Sequence, residues 1–174
     1  MPRPYPDALA LTRRVLRIVI VLNLLLGFLI LALLIATLVA QTFVVAALGV
    51  PPRNQSAALI LGMRLVMVLG IASVPLAHLV LKRLQAIVDT VGQSDPFVAE
   101  NAVRMRTIAW AVLGMELMHL AIGVIAAAVS TREQPFDVDW SFSFTPWVAV
   151  LLLFVLARVF EQGALMRDDL QGTV

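Results

Sequence analysis

Four long apolar segments decide what this chain can fold into. They cover residues 18–40, 57–81, 108–130 and 144–166. Each is long enough for a helix to cross a bilayer, which takes about 20 apolar residues for roughly 30 Å of hydrocarbon. Only helices and closed barrels satisfy all backbone hydrogen bonds in lipid, and the short alternating strands of a barrel are absent. We therefore predict an all-α fold, a four-helix transmembrane bundle, with residues 1–174 forming a single integral membrane domain.

The composition agrees with a lipid environment. Hydrophobic residues make up 61% of the chain and charged residues 14%, whereas soluble proteins have about 45–50% and about 25%. A soluble domain of this size leaves too much of its surface exposed to bury so many apolar side chains. The first apolar segment is longer than that of a cleaved signal peptide, and no convincing cleavage site follows it, so we expect it to remain as a span.

The basic residues are distributed unequally between the two sides of the membrane. Nine Lys and Arg residues lie before span one, between spans two and three, or after span four, and two lie in the other loops. Cytoplasmic loops carry the excess of Lys and Arg in membrane proteins. We therefore expect the N-terminus, the C-terminus and the central loop to be cytoplasmic.

The loop between spans two and three predicts a short cytoplasmic helical hairpin. Past span two, apolar residues recur at helical spacing on one face: Leu84, Ile87, Val88 and Val91. Gly92 is a typical helix stop. Asp95 then offers an N-cap, Pro96 suits the first helical position, and Glu100 favours the positive end of a helix dipole. We expect the next helix to start near Pro96 and run into span three, with Phe97 exposed.

Each span contains a polar residue at a similar expected depth: Asn23, Ser73, Glu116 and Arg158. At a rise of 1.5 Å per residue, all four lie roughly 12–13 Å inside the cytoplasmic boundary. A lone charge at this depth is costly, so we expect an ion pair between Glu116 and Arg158, with Asn23 and Ser73 completing the hydrogen bonds. A proton or ion pathway through the same residues is the alternative, although the repeats and broken helices common in transporters are absent.

The chain lacks the common catalytic and metal-binding patterns. It contains no cysteine, no Walker loop, no G-x-S-x-G and no H-E-x-x-H. Glu116 and His119 have the Glu-x-x-His spacing of di-metal bundles, but such sites need a second copy and two further carboxylates. We therefore expect no catalytic residue, no metal and no cofactor, and hence no enzyme activity.

Two features concern contacts at the helix surfaces. Small residues share a face on span two (Gly70, Ser73, Ala77) and on span three (Gly123, Ala127), which suits either an internal helix contact or a homo-oligomer. Arg64 lies near the outer end of span two, where its long side chain can extend to the interface.

Two motifs in the second half of the chain resemble a known family. Residues 95–106 (DPFVAENAVRMR) and 158–174 (RVFEQGALMRDDLQGTV) are similar to the two signatures of the domain-of-unknown-function family 2975, which comprises small four-span membrane proteins of bacteria and archaea. The resemblance extends from about residue 15 to the end, and Glu100, Asn101 and a turn at Gly163 match the pattern. It implies no catalytic residue, because the activity of the family is unassigned. Family members are often encoded beside a small helix-turn-helix regulator, which implies a DNA-binding protein as partner.

We therefore expect a regulatory or accessory protein of the bacterial cytoplasmic (plasma) membrane. It would contact a cytoplasmic partner such as a helix-turn-helix transcriptional regulator, and would not bind nucleic acid itself. The candidate contact residues are Asp95, Pro96, Phe97, Glu100, Asn101, Arg104 and Gly163. The alternatives are a small transporter or channel subunit that uses Glu116 and Arg158, and a structural subunit of a larger membrane assembly.

Overall fold

The computed structural model describes residues 5–92, 98–130 and 143–171, and every regular element in these ranges is a helix. The five α-helices are α1 (Tyr5–Val39), α2 (Gln41–Ala47), α3 (Ala57–Gly92), α4 (Ala99–Val129) and α5 (Thr145–Gln171), and a short 3₁₀ turn covers Pro52–Asn54. The four long helices α1, α3, α4 and α5 are long and apolar enough to cross a membrane. The predicted all-α fold with four spans is therefore confirmed.

The short helix α2 follows α1 almost directly and was not predicted from the sequence. Its Val45 side chain is buried. Gly49 ends the turn after α2 with a φ of 95°, a conformation that glycine adopts without strain. Gln55 Nε2 donates hydrogen bonds to the carbonyl oxygens of Thr42 and Val50, both at 3.1 Å. These bonds tie the segment before α3 to α2 and to the turn that follows α2.

The long helices pack in the order α1, α3, α4, α5, each against the next. Glycines allow the close approaches. A Cβ atom added to Gly27 would lie 2.9 Å from Cγ2 of Val74, and one added to Gly62 would lie 2.7 Å from Cγ1 of Val129. No contact of comparable extent joins α1 to α5 in the part of the chain that the structure describes. The bundle is therefore an open row of helices, with α1 and α5 at its two edges.

The predicted extension of the second span is present. Helix α3 contains 36 residues, which corresponds to about 54 Å, well beyond roughly 30 Å of hydrocarbon. On the predicted apolar face, Leu84 and Ile87 pack against a buried cluster formed by Met105, Ile108 and Ala157. The end of α3, the start of α4 and a face of α5 therefore share one small core.

Helix α4 starts later than the sequence indicates. It begins at Ala99, three residues after Pro96, because Val98 is extended with φ −98° and ψ 143°. Glu100 occupies the first turn, as expected for the positive end of the helix. Three of the candidate residues lie outside the described ranges: Asp95, Pro96 and Phe97.

The turn expected at Gly163 is wrong, because α5 continues through this residue to Gln171. Ala157 and Ala164, two turns apart, are both buried. Glycine inside a helix costs about 1 kcal/mol relative to alanine. Continuous packing of the α5 face on both sides of Gly163 offsets this cost.

Candidate functional site

Polar contacts join neighbouring long helices at one end of the row, which we call the polar end. It is defined by Arg13, Asp89, Thr90, Asn101, Arg104, Arg106 and Glu161. In the first contact, Nε of Arg13 on α1 lies 2.7 Å from Oδ1 of Asp89 on α3. Both side chains are 43% exposed, so water screens the pair and its contribution to stability is below about 1 kcal/mol.

Asn101 forms the second contact, and it is the most buried polar residue of the polar end. Its side chain has no exposed surface. Its Nδ2 donates to Thr90 Oγ1 at 2.8 Å, and its Oδ1 accepts from Arg104 Nη1 at 2.7 Å. The Thr90 hydroxyl in turn donates to the carbonyl of Ile87 at 2.7 Å. The chain of bonds ties the start of α4 to the end of α3, and each buried polar atom in it has a partner.

The third contact joins α4 to α5 through a carboxylate shared by two arginines. Oε1 of Glu161 lies 3.6 Å from Nη2 of Arg106. Its Oε2 lies 2.8 Å from Nη1 of Arg158, which is three residues earlier on the same helix. The Arg158 side chain is 70% exposed. This contact is accessible to solvent and contributes little stability by itself, but it places charge at the edge of a groove.

A groove runs between the start of α4 and the end of α5, beside this shared carboxylate. It has a volume of about 230 Å³. Its lining residues are Ala99, Ala102, Val103, Arg106, Glu161, Ala164 and Leu165. Val103 and Leu165 are 59% and 62% exposed. The groove therefore combines small residues, two exposed aliphatic side chains and one pair of opposite charges, and can receive an apolar side chain flanked by polar groups.

The intramembrane residues Asn23 and Ser73 both donate hydrogen bonds to backbone carbonyls of α3 that precede Pro75. Asn23 Nδ2 on α1 donates to the carbonyl of Val74 at 3.1 Å, and the Ser73 hydroxyl donates to that of Gly70 at 2.7 Å. Pro75 has no N–H, so the carbonyl left without its helical donor is that of Ile71, four residues earlier, and neither of these bonds reaches it. Asn23 instead links α1 to α3, and Ser73 bonds within its own helix.

The predicted ion pair between Glu116 and Arg158 does not form. Trp110 on α4 packs edge-on against Phe154 on α5, with ring centroids 5.2 Å apart. Helices α4 and α5 run in opposite directions. Glu116 lies six residues after Trp110 on α4, and Arg158 lies four residues after Phe154 on α5. At 1.5 Å per residue, the two side chains are therefore about 15 Å apart along the helix axes. Arg158 pairs instead with Glu161. The Trp110–Phe154 contact sets this register and places Arg158 nearer the polar end than Glu116.

Glu116 is level with the other two members of the predicted cluster. Gly114 lies against Leu76, with its Cβ position 3.3 Å from Cδ1, so Glu116 is level with Val74 and Ser73. Its side chain is half-buried. It forms no hydrogen bond or ion pair within the described residues. The structure therefore places one carboxyl group near the middle of the membrane region, without the arginine expected to neutralise it.

Arg64 has a role that sequence reasoning missed. Its Nη2 donates to the carbonyl of Thr37 at 2.7 Å and to Oε1 of Gln41 at 2.9 Å. The last carbonyls of a helix have no partner within the helix, and Thr37 lies two residues before the end of α1. Arg64 therefore caps α1 from α3 rather than extending freely to the interface.

The structure brings together only some of the predicted motif residues. Asn101 and Arg104 are joined by a hydrogen bond, whereas Glu100 is exposed and Gly163 lies on α5. Asp89, Thr90 and Glu161 were missed, because their roles depend on which helices are neighbours. Across the described ranges, no group of three His, Asp or Glu residues is placed to hold a metal ion.

Comparison with known proteins identifies the family. The model of a family described as "Protein of unknown function (DUF2975)" matches residues 39–174. The chain belongs to the DUF2975 family. The match starts at residue 39 rather than near residue 15, so most of α1 lies outside it. No curated protein and no solved structure matches the chain.

Both sequence motifs fall inside the part of the chain that the DUF2975 model covers. That part also contains Thr90, Asn101, Arg106 and Glu161, so two of the three contacts of the polar end lie wholly within it. The Arg13 contact is different, because Arg13 precedes the matched range. The family description names no activity, so any function has to be argued from the geometry of this chain.

Proposed function

We propose that this DUF2975 protein is a regulatory or accessory protein of the bacterial plasma membrane, whose polar end binds a cytoplasmic protein partner such as a helix-turn-helix regulator. One observation carries the proposal. The long helices extend past the apolar segments at one end, where polar contacts join them in sequence. A membrane anchor alone needs no such extension.

The extension is large enough to reach a partner in water. Lys82 follows the apolar segment 57–81, and α3 continues to Gly92, which adds about 15 Å of helix beyond the hydrocarbon. The buried amide of Asn101 holds the start of α4 against it. A preorganised surface of this kind loses little conformational freedom when a partner binds.

The groove between α4 and α5 is the contact site that fits this proposal best. Its exposed Val103 and Leu165 would pack against an apolar side chain of the partner, while Arg106 and Glu161 set the orientation. Amphipathic helices commonly bind in grooves of this composition. The small helical domain of a helix-turn-helix regulator would supply such a surface.

Co-purification from mild detergent tests the groove. We expect Val103→Ser with Leu165→Ser to release one cytoplasmic protein that the wild type retains. Val124→Ser with Leu151→Ser is the matched control, because these side chains are 64% and 62% exposed on the same helices but lie away from the polar end. The proposal is contradicted if both double variants retain the protein, or if both lose it.

Orientation is a separate part of the proposal and has its own test. The positive-inside rule favours a polar end in the cytoplasm. Reporter domains fused to each terminus and active only in the cytoplasm should both be active, whereas reporters active only in the periplasm should both be silent. The opposite pattern would place the groove outside the cell and exclude a cytoplasmic partner.

A small transporter or channel subunit is a second candidate, and the isolated carboxyl of Glu116 supports it. Ionisable groups at membrane depth commonly mark ion or proton pathways. The 15 Å offset along the helices, estimated from the helix rise, removes Arg158 from such a pathway. Flux of protons into liposomes that contain the wild type should fall to background with Glu116→Gln. Equal background traces for both proteins exclude this candidate.

A further inference from the structure

A second groove lies on the side of α3, away from the groove between α4 and α5. It is open, has a volume of about 510 Å³, and is lined by residues of α3 alone. Residues at helical spacing line it: Pro75, His78, Leu79, Lys82, Arg83 and Ala86. One end is therefore apolar and the other basic.

The two basic residues of this groove are not neutralised by any residue that the structure describes. Lys82 and Arg83 are exposed, and neither forms a hydrogen bond or ion pair with any described residue. Arg13 and Arg106 at the same end of the row are both paired with carboxylates. In addition, Nδ1 of His78 is buried and has no hydrogen-bond partner in the described ranges. The groove thus offers adjacent positive charges to a ligand.

The position of the groove matches the boundary of the membrane. Lys82 directly follows the apolar segment 57–81, whereas Pro75 lies seven residues earlier, about 10 Å deeper at 1.5 Å per residue. The basic end is therefore level with lipid headgroups, and Leu79 and Pro75 are level with the first part of the acyl chains. This order of polar and apolar groups is that of a phospholipid.

We propose that the groove on α3 binds one anionic phospholipid of the adjacent leaflet. Lys82 and Arg83 contact the phosphate, and an acyl chain lies over Leu79 and Pro75. An anionic headgroup is favoured because zwitterionic lipids carry a cation of their own, which the two basic side chains repel. Basic pockets beside membrane helices recognise anionic headgroups in this way.

Lipid retention by the full-length chain measures the site directly. The protein is purified in detergent, mixed with equal amounts of phosphatidylglycerol and phosphatidylcholine, and examined by native mass spectrometry. At about a fivefold gain in affinity per basic residue near a membrane surface, we expect Lys82→Gln with Arg83→Gln to weaken retention of phosphatidylglycerol by roughly tenfold to thirtyfold.

The matched control is Arg14→Gln with Arg17→Gln, which removes the same charge from exposed side chains of α1 at the same end that pair with no carboxylate in the described ranges. We expect this pair to retain phosphatidylglycerol within about twofold of the wild type, because neither residue lines the groove and salt screens charges more than about 10 Å away. An equal loss for both pairs would show that only net charge matters, and would overturn the site. Equal retention of the two lipids by the wild type would also overturn it.

A competition experiment separates a phospholipid from a free anion. Short-chain dihexanoyl phosphatidylglycerol should displace the bound lipid at concentrations at which inorganic phosphate does not, because only the lipid also contacts Leu79 and Pro75. Equal displacement by inorganic phosphate would reduce the groove to an anion site and overturn the proposal. Both results are independent of the groove between α4 and α5, so they do not depend on a protein partner.

Discussion

Removing the amide of Asn101 should open the hairpin between α3 and α4. Asn101→Ala removes the bond donated to Thr90 and the one accepted from Arg104. A neutral hydrogen bond contributes about 0.5–1.5 kcal/mol and one to a charged group about 1.5–3 kcal/mol. Because Asn101 is fully buried, we expect a loss of about 3 kcal/mol, or a decrease in melting temperature of roughly 6–12 °C for a chain of this length.

Thermal unfolding in detergent, followed by tryptophan fluorescence, measures this loss, and hydrogen exchange over residues 84–107 locates it. Thr107→Ala is the control, because its hydroxyl bonds only to the carbonyl of Val103 within α4; it should melt within about 2 °C of the wild type, as expected for a peripheral substitution. Asn101→Asp keeps an acceptor for Arg104 and should give an intermediate loss. The reasoning is refuted if Asn101→Ala has the same melting temperature as Thr107→Ala and if its amides over residues 84–107 exchange no faster than those of the wild type.

Two further predictions concern helix contacts, and both are checked by melting temperature. Gly62→Ala should destabilise the protein by about 1–3 kcal/mol, because the new Cβ would lie 2.7 Å from Val129; Gly70→Ala, with 3.5 Å of space, should be neutral or stabilising by up to about 1 kcal/mol. Equal effects would contradict the packing. Arg64→Ala should lower the free energy of unfolding by about 2–4 kcal/mol, because it removes both bonds of the guanidinium. Gln41→Ala should lower it by only about 1 kcal/mol, because the bond to Thr37 remains. The reverse order would contradict the capping role.

Much of the architecture follows from local sequence. The apolar segments predict four spans because transfer into lipid depends on composition within about 20 residues. The spacing of Leu84 and Ile87 predicts a buried face beyond span two, and both residues pack as expected. Asn101 was singled out by the resemblance to the family motif, and the structure shows that its amide joins two helices.

Other features could not be predicted because they depend on register. The depths of Glu116 and Arg158 are equal only in one register of α4 against α5. The packing of Trp110 against Phe154 sets a different register, in which Arg158 is far from Glu116 and pairs with Glu161, three residues along its own helix. Arg64 similarly becomes a cap only because α3 places it beside the last turn of α1. The family resemblance implies a turn at Gly163, but α5 continues through this residue to Gln171.

The sequence alone determined that this chain enters lipid, crosses it as helices, and carries its charge mainly at one end. Each of these properties depends on the hydrophobicity and charge of residues that are neighbours in the sequence, so contacts between distant residues need not be known. Only the tertiary structure decided which polar groups meet. A shift of one residue moves a helical side chain by about 1.5 Å along the axis and 100° around it, so partners such as Thr90 and Asn101 are set by the packing of whole helices.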